Sequence, residues 1–156
     1  MDYEKYLEEI KSYIKKSSKK QRVLAVFVLI TILAAVVFAI NPEKKLLERR
    51  NSQRRSDVAN ILNSVYQYSI DHSGELPESI TTQPTVICKS NALSCDGLVD
   101  ISEITDDEKY LLSKVPVDPK EKNANSSGYQ IHKLTNGRIS VSAPLAENNA
   151  VISLSK

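Results

Sequence analysis

Residues 23–40 read VLAVFVLITILAAVVFAI, eighteen positions without a charge and with only Thr31 carrying a polar side-chain group. As a helix this run reaches roughly 27 Å, close to the thickness of a bilayer's hydrocarbon core. The reading it dictates is a membrane-spanning helix. Its large side chains, Val23, Leu24, Val26, Phe27, Leu29, Ile30, Ile32, Leu33, Val36, Val37, Phe38 and Ile40, are then candidates for packing against lipid or other membrane helices. A buried core helix and the apolar part of a signal peptide are the alternatives. A signal peptide has a shorter apolar run and a small-residue exit site, whereas about twenty mostly polar residues stand before this one. Ala39-Ile40-Asn41 also does not fit the usual Ala-x-Ala exit.

With the span set aside, a chain of 156 residues has room for one modest core. Which side of the membrane that core occupies is not decided by basic residues. Lys11, Lys15, Lys16, Lys19, Lys20 and Arg22 precede the span, and Lys44, Lys45, Arg49, Arg50, Arg54 and Arg55 follow it. The cysteines break the tie. The two in the chain, Cys88 and Cys95, have six residues between them in a loop-like stretch, a spacing that suits one short-loop disulfide. An oxidised pair places the C-terminal region outside the cytoplasm, while two free thiols would reverse that reading. A zinc site lacks a second ligand pair, since His72 and His132 are far off in sequence.

Three regions follow: 1–22, an amphipathic basic segment on the cytoplasmic side; 23–40, the span; and 41–156, an extracytoplasmic domain. In the first, Tyr3, Tyr6, Leu7, Ile10, Tyr13 and Ile14 recur at three- and four-residue intervals. That helix could lie on the inner leaflet, pack on a cytoplasmic partner, or serve only as a topology anchor. After the span, Asn41-Pro42 predicts a helix kink at Pro42. The helix then resumes with Val58, Ile61, Leu62 and Val65 as a stripe able to pack on a sheet, and ends before Asp71-His72-Ser73-Gly74 and Pro77. Arg49, Arg50, Arg54 and Arg55 are candidates for lipid-phosphate or subunit charge contacts, against the plain reading of a solvated face.

Residues 75–122 read as a long connection of weak periodicity, with Tyr110-Leu111-Leu112 able to form a helical turn. Residues 129–134 and 138–143 alternate about Asn136-Gly137, predicting a β-hairpin with a type I′ turn. Residues 150–154 can add a third antiparallel strand. The fold class expected is therefore α+β: a long transmembrane helix continuing, after the proline, into an amphipathic helix packed on a small antiparallel sheet.

The stretch 54–68, RRSDVANILNSVYQY, followed by Gly74-Glu75-Leu76-Pro77, resembles the type IV pilin and type II secretion pseudopilin superfamily. There, too, basic residues lead into a helix that ends at a Gly-x-x-Pro-like break. Pro116-Val117-Asp118-Pro119 with Ser127-Gly128-Tyr129 is similar to the motif that opens a strand in the major-pseudopilin type, and Pro42 to the helix kink of such subunits. The likeness covers the chain from about residue 23 onward. It implies a bacterial cytoplasmic-membrane protein that assembles with other pilin-like subunits or assembly-platform membrane proteins. Members of the family carry a Gly at the prepilin-peptidase site and a Glu soon after it. Lys19-Lys20-Gln21-Arg22-Val23-Leu24-Ala25 offers neither, so the expectation is a membrane-retained subunit in place of a major filament subunit.

Little in the sequence speaks for catalysis. Two His residues and no nucleophile-elbow pattern give no base-activated nucleophile, and four Gly in all preclude a phosphate loop of the usual kind. A formal net charge of +2 gives no general basic excess for nucleic acid, and no small-molecule substrate or cofactor is implied. Asp118, Asn123 and Asn125 carry oxygen ligands suited to Ca²⁺, but their spacing is not that of the known loop, so no metal is expected. The expected role is structural, not enzymatic. The alternative is a tethered extracytoplasmic binding or sensing module that signals to a cytoplasmic partner.

Overall fold

The computed structural model describes residues 3–16, 18–40, 42–105 and 109–156, and the side chains among them except at 13–16 and 38–40. The chain divides into two compact units, Met1–Glu43 and Lys44–Lys156, a boundary three residues beyond the 40/41 division read from sequence.

In the first unit, helix α1 (Tyr3–Lys16) and helix α2 (Lys19–Ile40) are separate elements. Between them Ser18 caps α2. Its hydroxyl accepts the Gln21 N–H at 3.3 Å, while the Gln21 side-chain oxygen accepts the Ser18 N–H at 2.8 Å. This reciprocal capping box satisfies donors that a helix start otherwise leaves open. Helix α2 is apolar on every face and, by length and composition, able to cross a membrane. The large side chains assigned to membrane packing between Val23 and Val37 are all exposed. Those of Phe38 and Ile40 lie outside the described residues. So does Asn41, the residue before the proline where the kink is expected; helix α3 is described over Pro42–Asp71.

The second unit is an α+β layer structure. Strands β1 (Thr85–Cys88), β2 (Ser126–Lys133), β3 (Ile139–Ser142) and β4 (Ser153–Ser155) form one antiparallel sheet in the order β1-β2-β3-β4. The predicted stripe of α3 closes the core: Val58, Ile61 and Val65 are fully buried and Leu62 nearly so, in one cluster with Ile87, Tyr129, Ile131, Ile139 and Val141. Neither layer could bury its apolar face alone. Helix α3 ends where the sequence signals it. Ser73 takes a left-handed φ of 56°, and the Gly74 N–H reaches back to the Ser69 carbonyl at 2.7 Å. That is the six-to-one bond of a Schellman cap.

Four expectations are corrected. The connection 75–122 is not without secondary structure: it holds β1 and a one-turn helix α4 (Ser102–Thr105), so the sheet has four strands and not three. Tyr110-Leu111-Leu112 is a bend and not a helical turn, with Tyr110 and Leu112 turned into the core and Leu111 out. The hairpin turn is not type I′, which needs positive φ at both central residues. Only Gly137 is left-handed, at 84°; the Gly137 N–H donates to the Leu134 carbonyl, and the Leu134 N–H to that of Arg138. This is a three-residue loop, whose glycine supplies the change of hand. The last strand also sits later than 150–154, because Asn148 and Asn149, at φ 57° and 54°, extend the turn and Ile152 is drawn into the core.

Cys88 and Cys95 form the expected disulfide, with Cα atoms 5.5 Å apart. It closes a loop at the end of β1, and the chain then returns beside that strand: the Val99 N–H donates to the Val86 carbonyl and the Cys88 N–H to that of Val99. Cys88→Ser is expected to lower stability by about 2–3 kcal/mol from the loop-closure entropy released into the unfolded chain. Helix α3 and the β2–β3 hairpin should survive it. The check is the urea midpoint of wild type, with and without reductant, beside that of the variant. An unchanged midpoint would remove the staple from the account.

Candidate functional site

The basic cluster of α3 divides by helix face. Arg50, Asn51 and Arg54 fall on the row that continues through Val58, Ile61, Leu62 and Val65, while Arg49 and Arg55 fall off it and are exposed. A helical row that is buried at one end carries its charges inward at the other, where they must meet opposite charge.

Arg54 does so. Its side chain is 0% exposed, and its Nε and Nη2 donate to the two oxygens of Asp118 at 2.7 and 2.9 Å. Nη1 donates to Glu147 Oε2 and to Asn51 Oδ1, each at 2.9 Å. Arg50 forms a second two-pronged pair with the carboxylate of Glu147. Asn51 completes the joint with both ends of its amide: its Nδ2 donates to the Glu147 carbonyl at 2.7 Å, and its Oδ1 accepts the Glu147 N–H at 3.0 Å. Asp118 stands in the loop before β2 and Glu147 in the turn before β4. Three segments far apart in sequence are thus tied at one place.

The lipid or subunit contacts expected of Arg50 and Arg54 are therefore corrected, because both guanidinium groups are committed within the domain. Arg49 and Arg55 remain on the surface. Asp118 is likewise no free oxygen ligand: Oδ1 also accepts the Lys120 N–H at 2.8 Å. Asn123 and Asn125 serve the turn itself, Asn123 Oδ1 accepting the Asn125 N–H at 2.8 Å and Asn125 Oδ1 the Leu93 N–H at 3.1 Å. Among the described residues no group of three or more His, Cys, Asp and Glu side chains could hold a metal ion.

One turn along α3, Asp57 accepts a 2.6 Å hydrogen bond from the Tyr129 hydroxyl, beside the glycine that lets the Asp118 loop approach β2. Burial raises the Asp57 carboxyl, an effect the Tyr129 bond opposes. Burial and that same bond raise the Tyr129 hydroxyl. At the far end of the helix His72 stacks on Tyr68 with ring centroids 3.9 Å apart, and His132 is half-buried on β2.

Electrostatically the joint favours its charged forms. Hydrogen bonding from Arg50, with Arg54 and Lys120 assisting, holds the Glu147 carboxyl down at about 2, against 4.5 for an ordinary glutamate. Hydrogen bonding to Asp118 raises Arg54. A carboxyl whose folded value is depressed adds stability above its unfolded value and loses it as pH falls toward the folded one. The Glu147 contribution should thus be complete above about pH 4.5 and disappear toward pH 2, with raised Asp57 working in the opposite direction. Urea midpoints at pH 7, 4 and 2.5 check this. In Glu147→Gln the fall below pH 4.5 should be shallower than in wild type.

No protein-family model matches the chain, and no curated protein and no solved structure gives a significant match. The functional reading therefore rests on the residues and their geometry. What these side chains can do together is hold segments in place: each carboxylate oxygen of Asp118 and Glu147 already accepts a donor from the chain.

Proposed function

We propose that the chain is a membrane-retained, pilin-like or pseudopilin-like structural subunit of a bacterial type IV pilus or type II secretion-type assembly. In this reading residues 23–40 span the cytoplasmic membrane, 1–22 remain in the cytoplasm and 41–156 stand outside. The carrying observation is the order of elements: among the described residues one apolar helix, then a helix whose stripe seals a small antiparallel sheet of sequential strands. The disulfide fits an oxidising compartment. Function is then assembly, through α2 packing on neighbouring membrane helices, with Arg49 and Arg55 able to meet lipid phosphate or another subunit. No catalytic step, cofactor or metal enters the proposal.

A photo-crosslinking residue at Phe27 or Leu33 tests it in native membranes. Crosslinks between copies, or to another single-pass subunit, are the expected result. A monomer or dimer whose only crosslinks run from α1 to a cytoplasmic protein would replace assembly by the tethered-sensor alternative. Intact mass and a thiol count under denaturing, non-reducing conditions test the topology. A chain retaining residues 1–22 with no free thiol agrees with the reading, and two free thiols overturn the placement of the domain.

A further inference from the structure

Helix α1 is not accounted for by assembly through α2. Tyr3, Tyr6, Leu7 and Ile10 form a stripe about 100° wide on one side, and Tyr3, Tyr6 and Ile10 are well exposed. Lys5, Glu8, Glu9 and Ser12 occupy the other side. Such a helix is stable in isolation only marginally, so its apolar face calls for a surface.

Two observations select that surface. The first is the break at Ser18. Were α1 meant to project straight from the membrane into the cytoplasm, α2 could simply begin earlier; instead α1 ends at Lys16 and a capping box at Ser18 starts α2 anew, beside the lysines that open it. The second is charge. From Lys11 to Arg22 there are six basic residues and no acidic one, at the C-terminal end of the amphipathic stripe and between it and the apolar span. A polybasic run at that place complements anionic headgroups, and Tyr side chains suit the interface between headgroups and acyl chains.

We propose that α1 lies along the inner face of the same bilayer that α2 crosses, its Tyr3, Tyr6, Leu7 and Ile10 stripe in the acyl boundary and its basic C-terminal end on anionic lipid headgroups. This rests on the reading of residues 23–40 as membrane-spanning. The tether makes binding intramolecular: α1 is held within a few residues of the surface, so a stripe too small to bind from solution suffices. The consequence is a subunit with a second, charge-sensitive anchor, which resists extraction from the membrane and senses the lipid composition of one leaflet.

Spin labels on single introduced cysteines of the full chain test this, in vesicles of phosphatidylglycerol and phosphatidylethanolamine. Labels at Tyr6→Cys and Ile10→Cys should collide with oxygen more than with a water-soluble nickel complex. Labels at Lys5→Cys and Ser12→Cys should do the reverse, and a label at Val28→Cys should report the acyl core. Lys15→Gln together with Lys16→Gln, at the basic end of α1, or vesicles of phosphatidylcholine alone, should lower the ratio of surface-bound to released α1 by on the order of tenfold. Labels at 6 and 10 open to nickel while 28 is in lipid would overturn the proposal alone. Nickel access at 28 as well would instead overturn the spanning reading beneath it. Labels at 6 and 10 shielded from both reagents and broadened by a second copy would mean that α1 packs on α1, which also overturns it.

Discussion

Arg54→Met is expected to lower the unfolding free energy of the sheet-bearing domain by about 3–5 kcal/mol, the usual consequence of removing one partner of a buried ion pair. The loss comes less from the missing attraction than from what stays behind. Asp118 is 2% exposed, and without the guanidinium its carboxylate retains one backbone donor, from Lys120, in a site sealed against water. An anion so placed must be protonated or exposed, and exposing it detaches the loop before β2 from α3.

Arg54→Met with Asp118→Asn separates these terms. Methionine fills much of the arginine's volume with apolar atoms, and the asparagine oxygen can still accept the Lys120 N–H, so no buried charge is left at that position. Glu147 keeps its two-pronged pair with Arg50. The double variant should therefore recover at least half of the loss, since a buried pair replaced as a pair is often near neutral. Urea unfolding of the full chain in detergent, followed by protease susceptibility of the domain, measures both variants. A double variant no more stable than Arg54→Met would show that the arginine's packing, and not the stranded carboxylate, is what matters.

How far this joint can be read from sequence depends on the range of the contacts. The 3.6-residue row of α3, the apolar length of α2 and the alternation on either side of Asn136-Gly137 are local patterns that extend over many residues, and each appears in the fold. Strand β1 has four residues, too few to show a period, and Thr85 finds its partner at Ile131, across the whole disulfide loop. Arg54 and Asp118 are 64 positions apart, and no local pattern links them. Yet a signal was present. Arg54 lies one turn before Val58 on the buried row, so a charge there requires a buried carboxylate somewhere in the domain. The basic cluster taken as one surface hid that requirement, because composition counts four arginines alike where the helical period separates two from two. The turn obeys the same limit: Asn136-Gly137 signals a tight turn, but the bonds of Leu134 decide how many residues it holds.

Gly128→Ala should be the other strongly destabilising substitution, at about 2–5 kcal/mol, adding left-handed strain to steric overpacking. Gly128 has φ +82°, and a Cβ there would stand 2.8 Å from the Asp118 Cβ, with Glu121 side-chain atoms at 3.2 and 3.3 Å. Gly97, at φ +72°, has nothing within 4 Å of the same position. Gly97→Ala is therefore the control for strain alone, at about 1–2 kcal/mol, and the excess at 128 measures contact. That contact acts on the joint directly. Asp118 cannot retreat freely, since its N–H is bonded to the Ser127 carbonyl at 2.8 Å and its carboxylate to Arg54. In the Arg54→Met, Asp118→Asn background the loop no longer holds a charge against α3 and can yield. Gly128→Ala should then be less destabilising than in wild type, a non-additivity expected only of groups that share one structure. Strict additivity would mean that the glycine serves only its own strand. A reduced loss would instead show that the left-handed glycine of β2 exists to let a carboxylate reach the arginine of the helix.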